Sequence, residues 1–441
     1  MTAIQGNTGI KRHWIISFLI YFNFLFPTFN AAFQEFSLGF AAGAVILHGL
    51  LIILLLFALL RGDNKGVGAR YTPYYLFFFF FMILITISLF TSFGYVTIRD
   101  LFELHRPLLY GLAFIVPLVY TWNEAKLNRY VVKPLFVVWA ILILFGLFYT
   151  LNIELGRNIM SFYTKAHNVY TMRTTGTFPN PYDYAYFLVL PIISYIHCLF
   201  LERKKLRKIL YLALLFLAGY ALLLSQSRTG FIVLFSALCY YVIIITFFAK
   251  FKQSVKVIVT AAIIVLLVGT YVGHVNQILH DNFRYLYAGL ITLIEEGPAF
   301  QSSLVARYNQ IQWVLSELND HPFRFITGFG PGKELVANLE SQYGLYLFRY
   351  GLPGLFIVFI YLIYSILISF KAYLTVRRNS WGLATESLFL SFHVWCVVLA
   401  VAALVNPFID MARLAFIFFF LNGLATALVS SPRTQLGGKK L

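Results

Sequence analysis

The feature that most limits this chain is a succession of long apolar runs, each closed by a short charged stop. TPYYLFFFFFMILITISLF at 72–90 is one such run, and ERKKLRK at 202–208 is one such stop. A bilayer core is crossed by roughly 20 consecutive, mostly apolar residues in helical form. Twelve runs fit that rule: about 14–30, 38–60, 74–98, 107–122, 134–151, 182–201, 209–226, 229–249, 257–273, 345–370, 384–405 and 411–430. Soluble domains carry about 25% charged residues, whereas this chain has 12% charged and 60% hydrophobic residues. The pattern excludes a large soluble domain. It defines an all-α polytopic membrane protein with about twelve transmembrane helices, formed by residues 1–441 as a single integral membrane domain.

The net charge of +17 invites a polyanion partner, but its distribution has a simpler cause. With the N-terminus in the cytoplasm, the basic clusters at Lys11-Arg12, 202–208, 250–256 and Arg377-Arg378 all fall on the inner side, as the positive-inside rule requires. The balance therefore reports topology, with both termini cytoplasmic, and no nucleic-acid partner is expected. Run 107–122 is short and holds Pro107 and Pro117, yet it must cross, or the later basic segments change sides. The first run, after Lys11-Arg12, has the look of a signal peptide. It is read as an uncleaved helix, because cleavage leaves an odd number of spans. Cys198, Cys239 and Cys396 all lie within apolar runs; a buried, odd trio gives neither a disulfide framework nor a zinc site.

Two outer connections are long, 152–181 and 274–344, and long connections tend to be functional. Within the larger one, 302–319 reads as an amphipathic helix, with Leu304, Tyr308, Ile311, Leu315 and Leu318 on one stripe and Arg307 beside it. In HPFRFITGFGPGKE (321–334), Gly328, Gly330, Pro331 and Gly332 force an irregular turn. The chain is then expected to run straight into the span at 345.

Seven cations lie on the outer side: Arg173, Arg228, Arg307, Arg324, Lys333, Arg349 and Arg413. Taken singly, each is most simply a snorkelling side chain, or one paired with a carboxylate such as Asp183 or Asp410. Arg228 stands out, because SQSRTG (225–230) surrounds it with Ser225, Gln226, Ser227 and Thr229, ahead of Gly230, at the start of a helix. Hydroxyls, helix-start N–H groups and a guanidinium together suit a phosphate-type anion. Gly230 there allows close backbone approach. GFGPGKE does not meet the nucleotide P-loop pattern, since Glu334 follows the lysine. The histidines show no HExxH spacing, so no metal is expected. The outer carboxylates Asp281, Glu295, Glu296, Glu317, Asp320 and Glu334 read as solvated loop charges; Glu340 is set apart by position. Tyr163, Tyr170, Tyr182, Tyr184, Tyr343 and Tyr346 fall at the outer mouth, as an interfacial belt or a sugar-stacking platform.

Four stretches, in order, resemble the O-antigen ligase and O-antigen polymerase superfamily. They are RTTGTFPNP before a span, SQSRTG between two spans, Arg307 with Trp313 and the following HPF…GFGPG, and RYGLPGLF at a span start. They cover about 173–355. The resemblance implies a lipid-linked-sugar glycosyltransferase fold with one large periplasmic loop in the bacterial inner membrane. It implies a glycan donor on undecaprenyl diphosphate, with no nucleotide sugar, metal or other cofactor. By this matching Arg228 and Arg307 bind the diphosphate with Arg173 close by, while Ser225, Ser227, Gly230, Gly328 and Gly330 support them. Ligases of the family carry a His-Asn pair upstream of the span-start glycine; here Glu340 and Ser341 stand in its place. That departure argues for a polymerase of oligosaccharide repeat units, making O-antigen or exopolysaccharide, with Glu340 as the candidate catalytic base; a sugar-binding residue and a helix-starting charge are its other readings. Membrane lipid and a chain-length regulator protein are the further expected partners. The alternatives are a ligase transferring glycan to lipid A-core or protein, and a transporter of an anionic lipid or metabolite. A transporter needs broken helices and ionisable groups near the midplane, where this sequence offers chiefly His48, His197 and His393.

Overall fold

The computed structural model describes residues 13–29, 42–62, 72–92, 100, 102–151, 153–164, 173–248, 302–331 and 339–430. Among these residues every regular element is helical. The principal helices are α1 (Trp14–Leu25), α2 (Ala42–Leu60), α3 (Thr72–Thr91), α4 (His105–Ile115), α5 (Lys133–Leu151), α6 (Ile153–Ser161) and α7 (Pro181–Leu201). They continue with α8 (Lys205–Ser225), α9 (Arg228–Phe248), α10 (Ser302–Asp320), α11 (Arg324–Thr327), α12 (Gln342–Arg378), α13 (Leu383–Ala402) and α14 (Ala412–Ser430). Among the described residues seven helices are long and apolar enough to cross a membrane, and four shorter apolar ones accompany them. Eleven of the expected runs thus coincide with helices; the run at 257–273 lies outside the described residues.

α7, α13 and α14 form the buried centre, while α8 and α9 face outward. Leu206 and Phe216 on α8 are largely exposed, a pattern that water would penalise and lipid satisfies. Cys198 and Cys396 are buried, but Cys239 is exposed. The expectation of three buried thiols fails because α9 turns that side chain to the outer surface of the bundle. The intramembrane histidines have partners: His48 bonds His105, His197 bonds Tyr241, and His393 lies between Tyr240 and Ser369.

Hydrogen bonds between helix ends sort those ends into two faces. On one face Arg413 donates to the carbonyls of Asn23 and Phe26, both at 2.6 Å, and Arg324 to that of Thr91 at 2.9 Å. Arg349 meets Asp410 at 3.0 Å on the same face, and Gln342 N donates to Ala403 O at 2.8 Å. On the other face the Tyr120 hydroxyl donates to Ala58 O at 2.8 Å, and Gly382 N donates to Glu124 at 2.7 Å. Glu202 closes the α7–α8 stop there by accepting the N–H groups of Arg203 and Lys204. The short run at 107–122 reaches from one face to the other. α4 starts beside Asp410, through Arg106 at 2.9 Å, and continues as a 3-10 turn over Val116–Val119 to reach Ala58 on the opposite face. The tighter 3-10 geometry stretches fifteen residues to roughly 24 Å.

α12 departs from the straight span expected. Gly351 interrupts it with φ 65° and ψ −162°. Tyr343 stacks on Phe359 with ring centroids 4.8 Å apart, although the two lie eight residues either side of Gly351. In a continuous helix they would stand about 24 Å apart. The first arm, 342–350, therefore folds back against the second. Pro353 has no N–H for the carbonyl of Arg349, four residues before it. The GFG turn fills that gap: Phe329 N donates to Phe348 O at 2.8 Å and Gly330 N to Arg349 O at 3.0 Å. Ser88 Oγ also donates to Arg349 O, at 2.6 Å. A Cβ on Gly328 would lie 2.2 Å from Arg349 O, and one on Gly351 2.4 Å from Phe325 O. These two backbones touch only because neither residue has a side chain.

Candidate functional site

The first turns of α7 are the hub of the candidate site. Asn180 and Pro181 open the helix, and Tyr182, Asp183 and Tyr186 follow at spacings that share one face. Asp183 is fully buried and accepts from Asn180 Nδ2 at 3.3 Å. Tyr182 lies within the electrostatic range of Glu340 and Arg173. The Tyr186 hydroxyl accepts from Asn406 Nδ2 at 2.5 Å, hydrogen-bonds Thr229 and lies in the field of Arg307. Four segments distant in sequence thus meet at one recess: 173–186, 225–230, 307–310 with Glu340, and 403–410.

SQSRTG connects α8 to α9 in this recess. Gln226 adopts a left-handed conformation, φ 48° and ψ 32°, to reverse the chain. Ser225 Oγ donates to Leu222 O at 2.6 Å and accepts from Ser227 N at 3.3 Å. Ser227 Oγ accepts from Gly230 N at 3.1 Å, capping α9, in the way an N-cap serine satisfies a helix-start donor. Both serines are therefore engaged with backbone, and the cap occupies one of the N–H groups expected to face an anion. Gly230 allows a close approach, but of α7: a Cβ there would lie 2.5 Å from Ala185 Cβ. Arg173 binds this turn directly, donating from Nε to Ser225 O at 3.1 Å and from Nη2 to Gln226 O at 3.5 Å. Arg228 begins α9 and is half-buried.

α10 supplies the opposite wall. Its helical extent matches the expected one, but the buried face does not. Arg307, Gln310, Val314 and Leu318 point inward, whereas Tyr308 is 63% exposed and Ile311 and Leu315 are more than one-third exposed. The packed seam lies on one flank of the apolar stripe, because Arg307 and Gln310 have polar partners to meet inside. Arg307 Nη2 stands 2.7 Å from Glu340 Oε2, and Glu340 N donates to Gln310 Oε1 at 3.1 Å. Glu340 precedes Ser341, which caps α12 by accepting from Gly344 N at 3.3 Å.

The structure separates the outer cations by what they touch. Arg324 is engaged with Thr91 O and Gly328 O, Arg349 with Asp410, and Arg413 with the carbonyls that end α1. Each of these secures one element to another. Arg173 lies in the field of Tyr182 and Arg307 in that of Tyr186, Arg228 adjoins Thr229, which bonds Tyr186, and Lys333 lies outside the described residues. Gly328 and Gly330 belong to the turn beneath the α12 bend. Of the mouth tyrosines only Tyr182 reaches the recess. Tyr184 and Tyr346 are core residues, Tyr163 donates to Leu25 O, Tyr343 lies against Phe359, and Tyr170 lies outside the described residues. Sequence reasoning missed Tyr186, Gln310 and Asn406. Asn406-Pro407, a turn signal between two apolar runs, is the one sign that pointed to the last of these.

Fold and site together define a polytopic helical membrane protein with a recess lined by arginines and carboxylates. Residues 213–359 match the family model described as O-antigen ligase. The matched segment contains Arg228, Arg307 and Glu340; Arg173 and the 403–410 loop lie beyond it. The match agrees with the O-antigen ligase/polymerase superfamily and points to glycan transfer by a glycosyltransferase-like enzyme. No curated protein matches the chain.

Proposed function

We propose that this protein is a polymerase that joins undecaprenyl-diphosphate-linked oligosaccharide repeat units at the outer, periplasmic face of the inner membrane. The observation that carries this reading is the Arg307–Glu340 ion pair at 2.7 Å, at the position where the family's ligases hold a histidine. The acceptor sugar hydroxyl attacks the anomeric carbon of the donor glycan. A glycosidic C–O bond forms, the C–O bond to the lipid diphosphate breaks, and the diphosphate leaves with the bonding pair. Arg228 and Arg307, with Arg173 at the SQSRTG turn, meet the charge that develops on it. Glu340 takes the hydroxyl proton.

The ion pair gives this sequence an order. An arriving diphosphate competes with Glu340 for Arg307. Once Arg307 turns to the diphosphate, the Glu340 carboxylate is released from the ion pair and is free to accept from the acceptor hydroxyl. The donor thereby prepares the group that activates the acceptor. No nucleotide, metal or other cofactor takes part, because the lipid diphosphate is itself the leaving group.

The test is purified protein incubated with lipid-linked repeat units, with and without lipid A-core. Lengthening of the lipid-linked chain supports the polymerase. Transfer to core alone identifies a ligase and overturns this reading.

A further inference from the structure

α10 leaves one apolar flank uncovered. Tyr308 is 63% exposed, with Ile311 and Leu315 beside it, and the patch continues to Phe323 and Ile326 at α11, 65% and 62% exposed. The opposite flank carries Asn309, Gln312 and Ser316, so the uncovered surface is amphipathic in its own right.

Contacts with membrane-crossing helices fix the depth of this patch. At its lower end, Arg307 and Gln310 hold Glu340, at the foot of the folded-back arm of α12. That foot bonds to Ala403, one residue beyond α13, through Gln342. One residue on, Tyr343 packs on Phe359, itself exposed on the long crossing arm. Farther along, Trp313 meets Phe348 at 5.2 Å between ring centroids, so α10 climbs beside this arm from foot to bend. At the bend, Arg324 is bonded to Thr91 O at the end of α3, where Phe90 is 73% exposed. Both ends of the patch are thus level with the last turns of spanning helices, and its apolar side chains continue their lipid-facing surfaces.

We propose that α10 and α11 are seated in the lipid leaflet on the site's side of the membrane. Tyr308, Ile311 and Leu315 then face the upper acyl chains, and Phe323 and Ile326 the zone where headgroups meet them. The occupant of the patch is bilayer lipid, and the polar flank faces water. Because α10 also carries Arg307, the bilayer surface sets the height at which that guanidinium is held. The inference rests on the fold and on no assumption about the reaction.

The test is depth-dependent quenching in the full-length protein reconstituted into lipid nanodiscs. Cys239 is replaced by Ala, and the buried Cys198 and Cys396 are left in place. Single cysteines at Tyr308, Ile311 and Leu315, and separately at Asn309, Gln312 and Ser316, carry a bimane fluorophore. The first set is expected to lose fluorescence to lipids brominated near the headgroup end of the chain and to resist aqueous iodide; the second set should do the reverse. Iodide quenching both sets alike overturns the proposal. So does protection of the first set from both quenchers, which means that protein covers the flank. Phe323→Cys and Ile326→Cys repeat the measurement at α11 should labels on α10 disturb its packing.

Discussion

Glu340 and Arg307 show how one contact can be read in two ways, and how the two readings separate. A carboxylate 2.7 Å from a guanidinium can serve only to position it, or can be the base that it holds in reserve. Glu340→Gln keeps the size and a hydrogen-bond acceptor while removing the charge. If Glu340 is the base, the elongation rate at saturating donor falls by about 10²–10⁴, with donor KM little changed. If Glu340 only positions Arg307, KM shifts and the saturated rate is spared, which sinks the catalytic assignment. Arg228→Ala and Arg307→Ala should each remove long polysaccharide ladders while the protein still accumulates in the membrane. Unchanged ladders would end the diphosphate role. At this scale the sequence was informative for the arginines, because guanidinium groups flanked by turn residues are conspicuous in an apolar chain. It was silent on Tyr186 and Asn406. A tyrosine in an apolar run carries no mark of what its hydroxyl meets, and here that partner lies 220 positions away.

Among the elements, the broken α12 and the GFG turn depend on one another. The turn can donate to Phe348 O and Arg349 O only because Gly351 and Pro353 release those carbonyls. The break is stable only because the turn's N–H groups pair with those carbonyls, since an orphaned buried carbonyl costs about 1–3 kcal/mol. Gly328, at φ +67° with no room for a Cβ, is the hinge of the arrangement. Gly328→Ala should lower stability by about 1–3 kcal/mol from backbone strain alone, and further through the clash. Gly219→Ala is the control: a Cβ there meets nothing within 4 Å, in the middle of α8, and a gain of up to about 1 kcal/mol is expected. Thermal unfolding in detergent reads both; equal shifts would refute the wedge. Helix positions were legible in the sequence because apolar length alone sets them. The fold-back was not, because GLPG before an apolar run reads equally well as the mere start of a span. The packed face of α10 was misread for a related reason. A stripe of apolar residues locates a surface that avoids water, and in a membrane protein that surface can face lipid as readily as protein.

Across the whole molecule, the 403–410 loop joins parts that no motif connects. Asp410 takes both Arg106, at 2.9 Å, and Arg349, at 3.0 Å, tying α4 to the folded arm of α12. Removing one member of a buried pair costs about 3–5 kcal/mol. Asp410→Ala leaves Arg349 without its carboxylate and Arg106 with Glu103 alone, whereas Arg349→Ala leaves Asp410 paired with Arg106. The first should therefore lower the unfolding temperature more than the second. The reverse order would mean that Arg106 relies on Glu103, 3.0 Å away, and not on Asp410.

The same loop also bears on sidedness. The ends of α1, α3, α8 and α13 and the starts of α4, α7, α9, α12 and α14 share one face through their hydrogen bonds, and Glu124 and Gly382 share the other. The basic clusters at 202–208 and Arg377-Arg378 border that second face, which the positive-inside rule assigns to the cytoplasm. Single cysteines at Ser161, His321 and Leu404 should then react with a membrane-impermeant maleimide in intact cells. Cysteines at Asn123, Arg203 and Asn379 should react only after the membrane is opened. The two sets are linked by the fold, so they must exchange together or not at all. Labelling of the second set in intact cells would place the arginine recess in the cytoplasm, where nucleotide-linked sugars become the natural donors and the lipid-diphosphate reading loses its ground.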